Sequence, residues 1–403
     1  MRASNRRYCR FCGIDVAKDK HVACILDADG RVVAAKQSFT NDAVGYERII
    51  RRLRQAGQHS KILIAMEATG HYWYSLHDFL QRHGYHVVVV NPIQTAQQAK
   101  KGIRKRKTDK IDARHIATLI KNGEHRPTII PGEPAMTCRQ LTRLRYSMVR
   151  QRAQIKQWIH SRLHPVWPEF ESFFADPLSI TARALLRAAP TPQDLLAMPG
   201  DDLAELLRKA SRGRLGAERA ERIRAVTQTS IGMRRGLDGA RIAIATLLDQ
   251  LDALRPVEQD LQEQIERLAD QLPAYVLTLP GTNAIRAVSL FGETDPVESF
   301  RSAGQLIAFA GLDIDVFQTG NYEAPRRHLT KRGSPFLRRT LWAMAAIAVR
   351  TEGELRSYYL RRKRGGLHYL AAVTATAIKL TRITWRILTD RRDYIPDGRS
   401  IQS

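Results

Sequence analysis

Four acidic residues have the types and spacing of a metal-dependent site that acts on phosphodiesters. Asp15 interrupts an apolar run that is typical of a buried strand, and Glu67 ends a second such run. Asp109 and Asp112 have the i, i+3 spacing that places both on one face of a helix. Carboxylates that lie close together repel one another and need cations, and these hard oxygen ligands favour Mg²⁺ or Mn²⁺. Paired ions of this kind hold the attacking and leaving oxygens of a phosphodiester.

The alternative is an ordinary structural role for these acids. Asp109 and Asp112 would then be helix N-terminal residues that the helix dipole stabilises. That role accounts for the last pair but not for Asp15 in the middle of a strand. We therefore interpret the four acids as one set.

The elements that must position this set follow from the apolar periodicity of the first 125 or so residues. The pattern predicts three strands, a helix capped by Asn41, and then alternating strands and helices, in the order βββαβαβα. This is the order of the ribonuclease H-like fold, an α/β fold in which the first strand is central and the fourth lies beside it. The last helix of that fold packs across both strands, so the four carboxylates would converge at one end of the sheet.

A basic stretch comes directly before Asp109. It contains Lys100, Lys101, Arg104, Lys105, Arg106 and Lys107. Charge runs are usually solvated faces or address signals. Next to a metal site, however, such a run could hold a phosphate backbone, and we favour this nucleic-acid-binding interpretation.

The sequence changes character beyond residue 127. Residues 135–165 and 216–272 have long helical patterns, with a proline-containing linker over 165–200 between them. Leucine and isoleucine spacings over 254–272 suit a coiled-coil seam, although a long helix packed within its own chain gives the same pattern. We predict four regions: the α/β domain over 1–127, a helical, coiled-coil region over 128–272, a mainly α C-terminal domain over 273–390, and a tail over 391–403.

The C-terminal domain contains two further candidate nucleic-acid contacts. Leu277–Asn283 resembles a helix-hairpin-helix, in which a turn at Gly281 would present backbone N–H groups to a phosphate. Asn283 replaces the usual second glycine, and we expect it to adopt the left-handed conformation that asparagine tolerates. The basic residues Lys331, Arg332, Arg338 and Arg339 would form a face that holds the scissile phosphate.

The excess of basic over acidic residues favours a polyanionic binding partner. Among 403 residues, 65 are Lys or Arg and 40 are Asp or Glu, a formal charge of +25. An apolar fraction of 43% supports folded cores rather than a disordered basic chain. Apolar runs fall short of the roughly 20 residues of a membrane span, and no signal-peptide core is visible. We expect a cytoplasmic, nucleoid-associated protein with no membrane contact.

Several separated motifs are similar to those of one protein family. The blocks Gly13–Ala17, Glu67–Gly70, Lys107–Ala113, Gly311–Asn321 and His328–Ser334 resemble transposases of the one-ten insertion-sequence family and the related pilin-gene invertases. The resemblance extends from about residue 11 to 385. It implies a RuvC-like domain whose Asp15, Glu67, Asp109 and Asp112 bind Mg²⁺. It also implies a multimer, and a structured bridge RNA that selects donor and target DNA.

The resemblance also implies a nucleophilic serine in a Gln-Ser-Gly motif, and that position is Thr319 here. Threonine retains the hydroxyl, but its methyl group crowds attack on phosphorus. The departure is compatible with a slow enzyme, an inactive copy or a normal variant of the family. Ser334 is the nearest alternative hydroxyl, and we predict that it caps the following helix instead.

These observations lead to a DNA recombinase as the first hypothesis. Two alternatives remain open at this point. The first is a junction resolvase or nuclease that uses the acidic tetrad and water. The second is a catalytically inactive nucleic-acid-binding protein.

Overall fold

The computed structural model describes residues 7–68, 70–92, 94–96, 109–125, 128, 130–314, 318–319, 322–323 and 329–396. The chain divides into two compact units, Met1–Ile130 and Pro131–Ser403. The domain boundaries expected at residues 127, 272 and 390 stay predictions.

The first unit contains a five-stranded mixed sheet with the order β3-β2-β1-β4-β5. β1 is antiparallel to β2 and parallel to β4, and β5 continues the parallel half. β1 is therefore the central strand and β4 lies beside it, as the element order predicts. The strands are β1 (Arg10–Asp15), β2 (Lys20–Asp27), β3 (Val32–Thr40), β4 (Ile62–Glu67) and β5 (His86–Val90).

Helices cover both faces of this sheet. They are α1 (Ala43–Ala56), α2 (Trp73–Arg82) and α3 (Asp109–Lys121). α1 and α2 pack on the face that contains Cys12 and Ile14. α3 packs on the opposite face, with Phe11 and Ala65. Because both faces are covered, the central strand is almost wholly apolar apart from its ends.

The cap of α1 differs from the predicted one. Asp42, not Asn41, is the N-cap, and its Oδ1 accepts a hydrogen bond of 2.7 Å from the Gly45 N–H. Asn41 instead donates from Nδ2 to the Lys18 carbonyl at 2.9 Å. Asn41 and Asp42 are adjacent polar residues that could each cap the helix. The residue at which the chain turns into α1 determines that Asp42 does so.

The second unit is mainly helical. A short hairpin, β6 (Gln318–Thr319) and β7 (Tyr322–Glu323), follows α12. None of the helices in the described ranges is long and apolar enough to cross a membrane. The helices are α4 (Glu133–Val166), α5 (Ile180–Ala188), α6 (Pro192–Ala197), α7 (Gly200–Ala210), α8 (Ala217–Gln228), α9 (Leu237–Ala269), α10 (Ala274–Leu277), α11 (Ala284–Thr294), α12 (Ala303–Ala310), α13 (Pro335–Ala348), α14 (Glu354–Arg364) and α15 (Tyr369–Asp390).

Two features of the middle region differ from the sequence prediction. The stretch over 165–200 is not a plain linker, because it contains α5 and α6. The long helix predicted over 216–272 is interrupted between α8 and α9, where Gly236 has a positive φ of 70°. Glycine adopts that left-handed conformation readily, so the chain turns there before α9 begins.

The long helices α4 and α9 pack against each other within the chain. Arg152 of α4 forms an ion pair of 2.7 Å with Glu258 of α9. Leu261 and Ile265, which belong to the predicted seam, are buried with Cys138 of α4. These contacts match the in-chain alternative for the seam, and pairing with a second chain stays a prediction.

Candidate active site

Asp15 and Glu67 are the last residues of two adjacent parallel strands. Ile14 of β1 is in register with Met66 of β4, so the next residues, the two acids, lie at the same level. Neighbouring strands are about 4.8 Å apart. Because side chains alternate between the faces of a sheet, both carboxylates lie on the face that α3 covers. The sheet therefore brings these two predicted site residues together.

The helix α3 crosses this face in direct contact with β1. A Cβ atom added at Gly13 would overlap the Ala113 carbonyl oxygen and the Ala117 nitrogen. Toward its C-terminus, α3 packs through Leu119 and Ile120 against the residues near the start of β1. α3 therefore runs antiparallel to β1, and its first turn lies at the end of the sheet that contains Asp15.

Asp112 lies in that first turn and is half-buried. Asp109 is the first residue of α3, but its side chain lies outside the described part of the structure. The basic residues predicted to hold phosphates before α3 also lie outside the described residues. They are Lys100, Lys101, Arg104, Lys105, Arg106 and Lys107.

Thr95 is a site residue that sequence reasoning missed. Its side chain is buried, and its hydroxyl lies 2.5 Å from Glu67 Oε2 and 2.8 Å from the Pro92 carbonyl oxygen. The hydroxyl has one hydrogen to donate, and when that hydrogen is directed at the carboxylate it favours one orientation of Glu67. No periodicity or motif distinguishes Thr95 in the sequence, because its partner is 28 residues away.

The chemistry of this pair fits a divalent metal ion. Among the side chains that the structure describes, no three acidic, histidine or cysteine groups are close enough to hold one ion together. Mg²⁺, however, is commonly held by only one or two carboxylates, while water and substrate phosphates complete its coordination. Asp15 and Glu67 would supply two such oxygen ligands at one end of the sheet.

Thr319 lies in the two-stranded hairpin of the second unit. It pairs with Tyr322, and Gln318 pairs with Glu323. The side chain of Thr319 is outside the described part of the structure. A backbone hydrogen bond links the described segments before and after the hairpin. The Thr330 N–H donates to the Asp313 carbonyl at 3.0 Å.

The predicted capping role of Ser334 is confirmed. Ser334 is the N-cap of α13, and its hydroxyl oxygen accepts a hydrogen bond from the Leu337 N–H at 3.2 Å. The same hydroxyl donates to Oε2 of Glu293 at 2.9 Å. Glu293 is fully buried and binds the Arg143 guanidinium through two bonds of 2.7 and 3.0 Å. Ser334 thus joins three helices, α4, α11 and α13.

The four basic residues that were predicted to form one face have different surroundings in the structure. Lys331 and Arg332 are exposed in the loop before α13. Arg338 donates to the Ala310 carbonyl at the end of α12 at 3.2 Å, whereas Arg339 stacks on the Tyr146 ring of α4 at 4.5 Å. Consecutive helix residues diverge by about 100°, so the two guanidinium groups separate. Their contact with a scissile phosphate stays a prediction.

The prediction that Asn283 adopts a left-handed backbone conformation is wrong. Asn283 is extended, with φ of −151°, and its side chain accepts a hydrogen bond of 3.0 Å from the Arg286 N–H as the N-cap of α11. A capping residue needs that extended backbone. Gly281 carries the positive φ, 71°, and a Cβ there would overlap the Met344 carbonyl oxygen of α13. Phosphate binding by Gly281 stays a prediction.

Comparisons with known proteins give a consistent result along the chain. A DEDD model described as "Transposase" matches residues 12–168, and a model described as "Transposase IS116/IS110/IS902 family" matches residues 274–360. The IS117 mini-circle protein of Streptomyces coelicolor, which is named as a transposase, is 27% identical over 379 residues, covering 90% of this chain and 89% of the relative.

Two further relatives are insertion-element proteins. The IS116 protein of Streptomyces clavuligerus is 24% identical over 395 residues, 96% of each chain. The IS900 protein of Mycobacterium paratuberculosis is 24% identical over 396 residues, 96% of this chain and 97% of the relative. A DEDD domain points to dependence on divalent metal ions in general. The strand-end acids, the two matched regions and these relatives agree, and this chain is a DNA transposase that belongs to the IS110 family of insertion sequences.

Proposed function

We propose that this transposase cuts and rejoins DNA with the acidic set Asp15, Glu67, Asp109 and Asp112 and the hydroxyl of Thr319. The observation that supports this most is the placement of Asp15 and Glu67 on adjacent parallel strands, with the first turn of α3 at the same end. The sheet order and the position of α3 also support a ribonuclease H-like, RuvC-like assignment for the first unit.

The carboxylates would hold Mg²⁺, or Mn²⁺ in its place, and Thr95 orients Glu67 for that task. Bound ions of this kind stabilise the charge that develops on the attacking and leaving oxygens. Thr319 would attack the scissile phosphorus through Oγ1. A bond from Oγ1 to phosphorus forms, the bond from phosphorus to the departing sugar oxygen breaks, and the threonine proton ends on that oxygen. The energy of the phosphodiester is retained in the covalent link for rejoining.

The proposal includes two partners besides DNA. A structured bridge RNA would select donor and target DNA, and a homo-oligomer would bring the acids of one chain to Thr319 of another. The formal charge of +25 supports binding to both nucleic acids. A hydrolase that uses water would need neither the covalent link nor Thr319, which separates the two mechanisms by experiment.

The test uses Asp15→Asn in the full-length protein. An amide keeps the size of the side chain but cannot supply the anionic ligand, so strand cleavage with Mg²⁺ should be lost while the melting temperature and nucleic-acid affinity stay near those of the parent. Cleavage is measured on element-end DNA in the presence of the transcript from the non-coding end of the element. Retention of full cleavage would remove Asp15 from the site.

A further inference from the structure

A cavity of about 230 Å³ lies within the second unit, between α4, α11 and α13. Three arginines line it: Arg145 from α4, Arg286 from α11 and Arg339 from α13. No aspartate or glutamate is among its lining residues. The cavity is therefore a concave surface to which three separate helices each contribute one arginine.

Arg145 is a half-buried residue of this cavity lining. Its Nε is buried and has no hydrogen-bond partner among the residues that the structure describes, and its Nη2 donates to Gln262 at a long 3.4 Å. Burial lowers the pKa of Arg145, Arg152 and Arg339 add to that effect, and Glu258 and Glu266 oppose it. The buried Nε thus lacks an acceptor among the described residues, while Nη2 is directed at Gln262 of α9.

Aromatic rings hold Arg339 at the mouth of the cavity. The Arg339 guanidinium lies 4.5 Å from the centre of the Tyr146 ring, and Tyr146 packs edge-to-face on Phe336 at 5.1 Å. A cation held on a ring has fewer conformations to lose when it binds an anion. No aromatic hydroxyl is needed for that role.

Two hydroxyls add a further donor. Ser289 and Thr340 lie 2.8 Å apart, and either oxygen can donate to the other. Since one hydroxyl hydrogen occupies that bond, the second is left for a ligand. Arg286 Nη1 donates to the Gly281 carbonyl oxygen at 3.3 Å, which leaves its other guanidinium N–H groups. Together the arginines and one hydroxyl offer donors that suit a phosphate, because phosphate oxygens only accept hydrogen bonds.

We propose that this cavity binds one backbone phosphate of a nucleic-acid strand. This proposal depends on one part of the proposed function, namely that the transposase binds nucleic acid. DNA and RNA share the phosphodiester, so the chemistry of the cavity suits both, and the test separates them.

The test compares Arg286→Gln and Arg339→Gln with Arg350→Gln in the full-length protein. Arg350 is an exposed residue just beyond α13, outside the cavity, and its replacement removes the same charge. Affinity is measured by fluorescence anisotropy for single-stranded DNA, duplex DNA and RNA of one sequence over a salt series. Each cavity variant should weaken binding by about tenfold and reduce the salt slope by about one, whereas Arg350→Gln should leave the slope unchanged.

A second pair of variants tests whether the Tyr146 ring supports Arg339, without changing the charge of the protein. Tyr146→Phe should retain the affinity because the ring remains. Tyr146→Leu should weaken binding, but by less than Arg339→Gln, because the charge stays while its aromatic support is lost. If affinity falls only for DNA or only for RNA, the site is supported and the nucleic acid that it binds is identified. If affinity falls for all three probes, the result supports a phosphate contact that DNA and RNA share. Cavity variants with parent affinity and parent salt slope would overturn the site. A parent that binds none of the probes would overturn the proposed function as well.

Discussion

At the scale of single residues, we expect Thr95 to orient Glu67. Replacing Thr95 with Val removes the hydroxyl that donates to Glu67 at 2.5 Å and keeps the shape of the side chain. A hydrogen bond to a charged group contributes about 1.5–3 kcal/mol, so cleavage should slow by roughly tenfold to a hundredfold. The measurement is single-turnover cleavage over a range of Mg²⁺ concentrations. Thr95→Ser, which retains the hydroxyl, should behave as the parent does. Equal rates for the Val and Ser variants would show that the bond does not contribute.

The nucleophile is the second question at this scale. Thr319→Ser should retain or raise recombination, because it keeps the oxygen and removes the crowding methyl group. Thr319→Ala should abolish the covalent protein–DNA adduct yet still bind nucleic acid. The adduct is trapped with suicide substrates and located by mass spectrometry.

Ser334→Ala provides the matched control for the hydroxyl. It should lose the cap of α13, at a cost of about 1 kcal/mol, and the bond to the buried Glu293 carboxylate, at a cost of about 1.5–3 kcal/mol. An adduct on Ser334 would move the nucleophile there. Cleavage with no adduct at all would support the hydrolase.

At the scale of elements, the position of the acids depends on the contact between α3 and β1. Gly13→Ala places a methyl group onto the Ala113 carbonyl oxygen and the Ala117 nitrogen, which are backbone atoms that cannot turn aside. Overpacking of this kind costs about 1–3 kcal/mol. We expect a lower melting temperature, faster hydrogen exchange in α3 and lost cleavage.

Gly239→Ala in α9 is the control for that substitution. Its added methyl group meets no atom within 4 Å, so stability should stay the same or rise slightly. A Gly13→Ala variant as stable as the parent would show that α3 can move away from β1 without cost.

At the scale of the whole molecule, the excess of basic residues governs affinity. The formal charge of +25 predicts many contacts with phosphates, and each contact releases counterions. Nucleic-acid affinity should therefore fall by about three to five orders of magnitude between roughly 50 and 200 mM salt, the range expected for some six to ten contacts. Anisotropy titrations measure the slope. A flat dependence over this range would contradict the polyanion interpretation.

The sequence alone determined the class of the protein and the location of two acids. Strand periodicity placed Asp15 and Glu67 on apolar strands, and the order of elements placed those strands side by side, as the sheet shows. These features are local or follow from a common topology, so they are visible in the chain. The capping role of Ser334 was equally local, because a cap depends on residues within one turn.

Tertiary structure decided what depends on residues far apart in the chain. The bond from Thr95 to Glu67, the close approach of α3 to Gly13 and the in-chain burial of Leu261 join separate elements, and no spacing predicts them. The cavity with Arg145, Arg286 and Arg339 likewise takes one arginine from each of three helices. Helical periodicity shows which face of a helix is apolar, but only packing decides which partner fills that face.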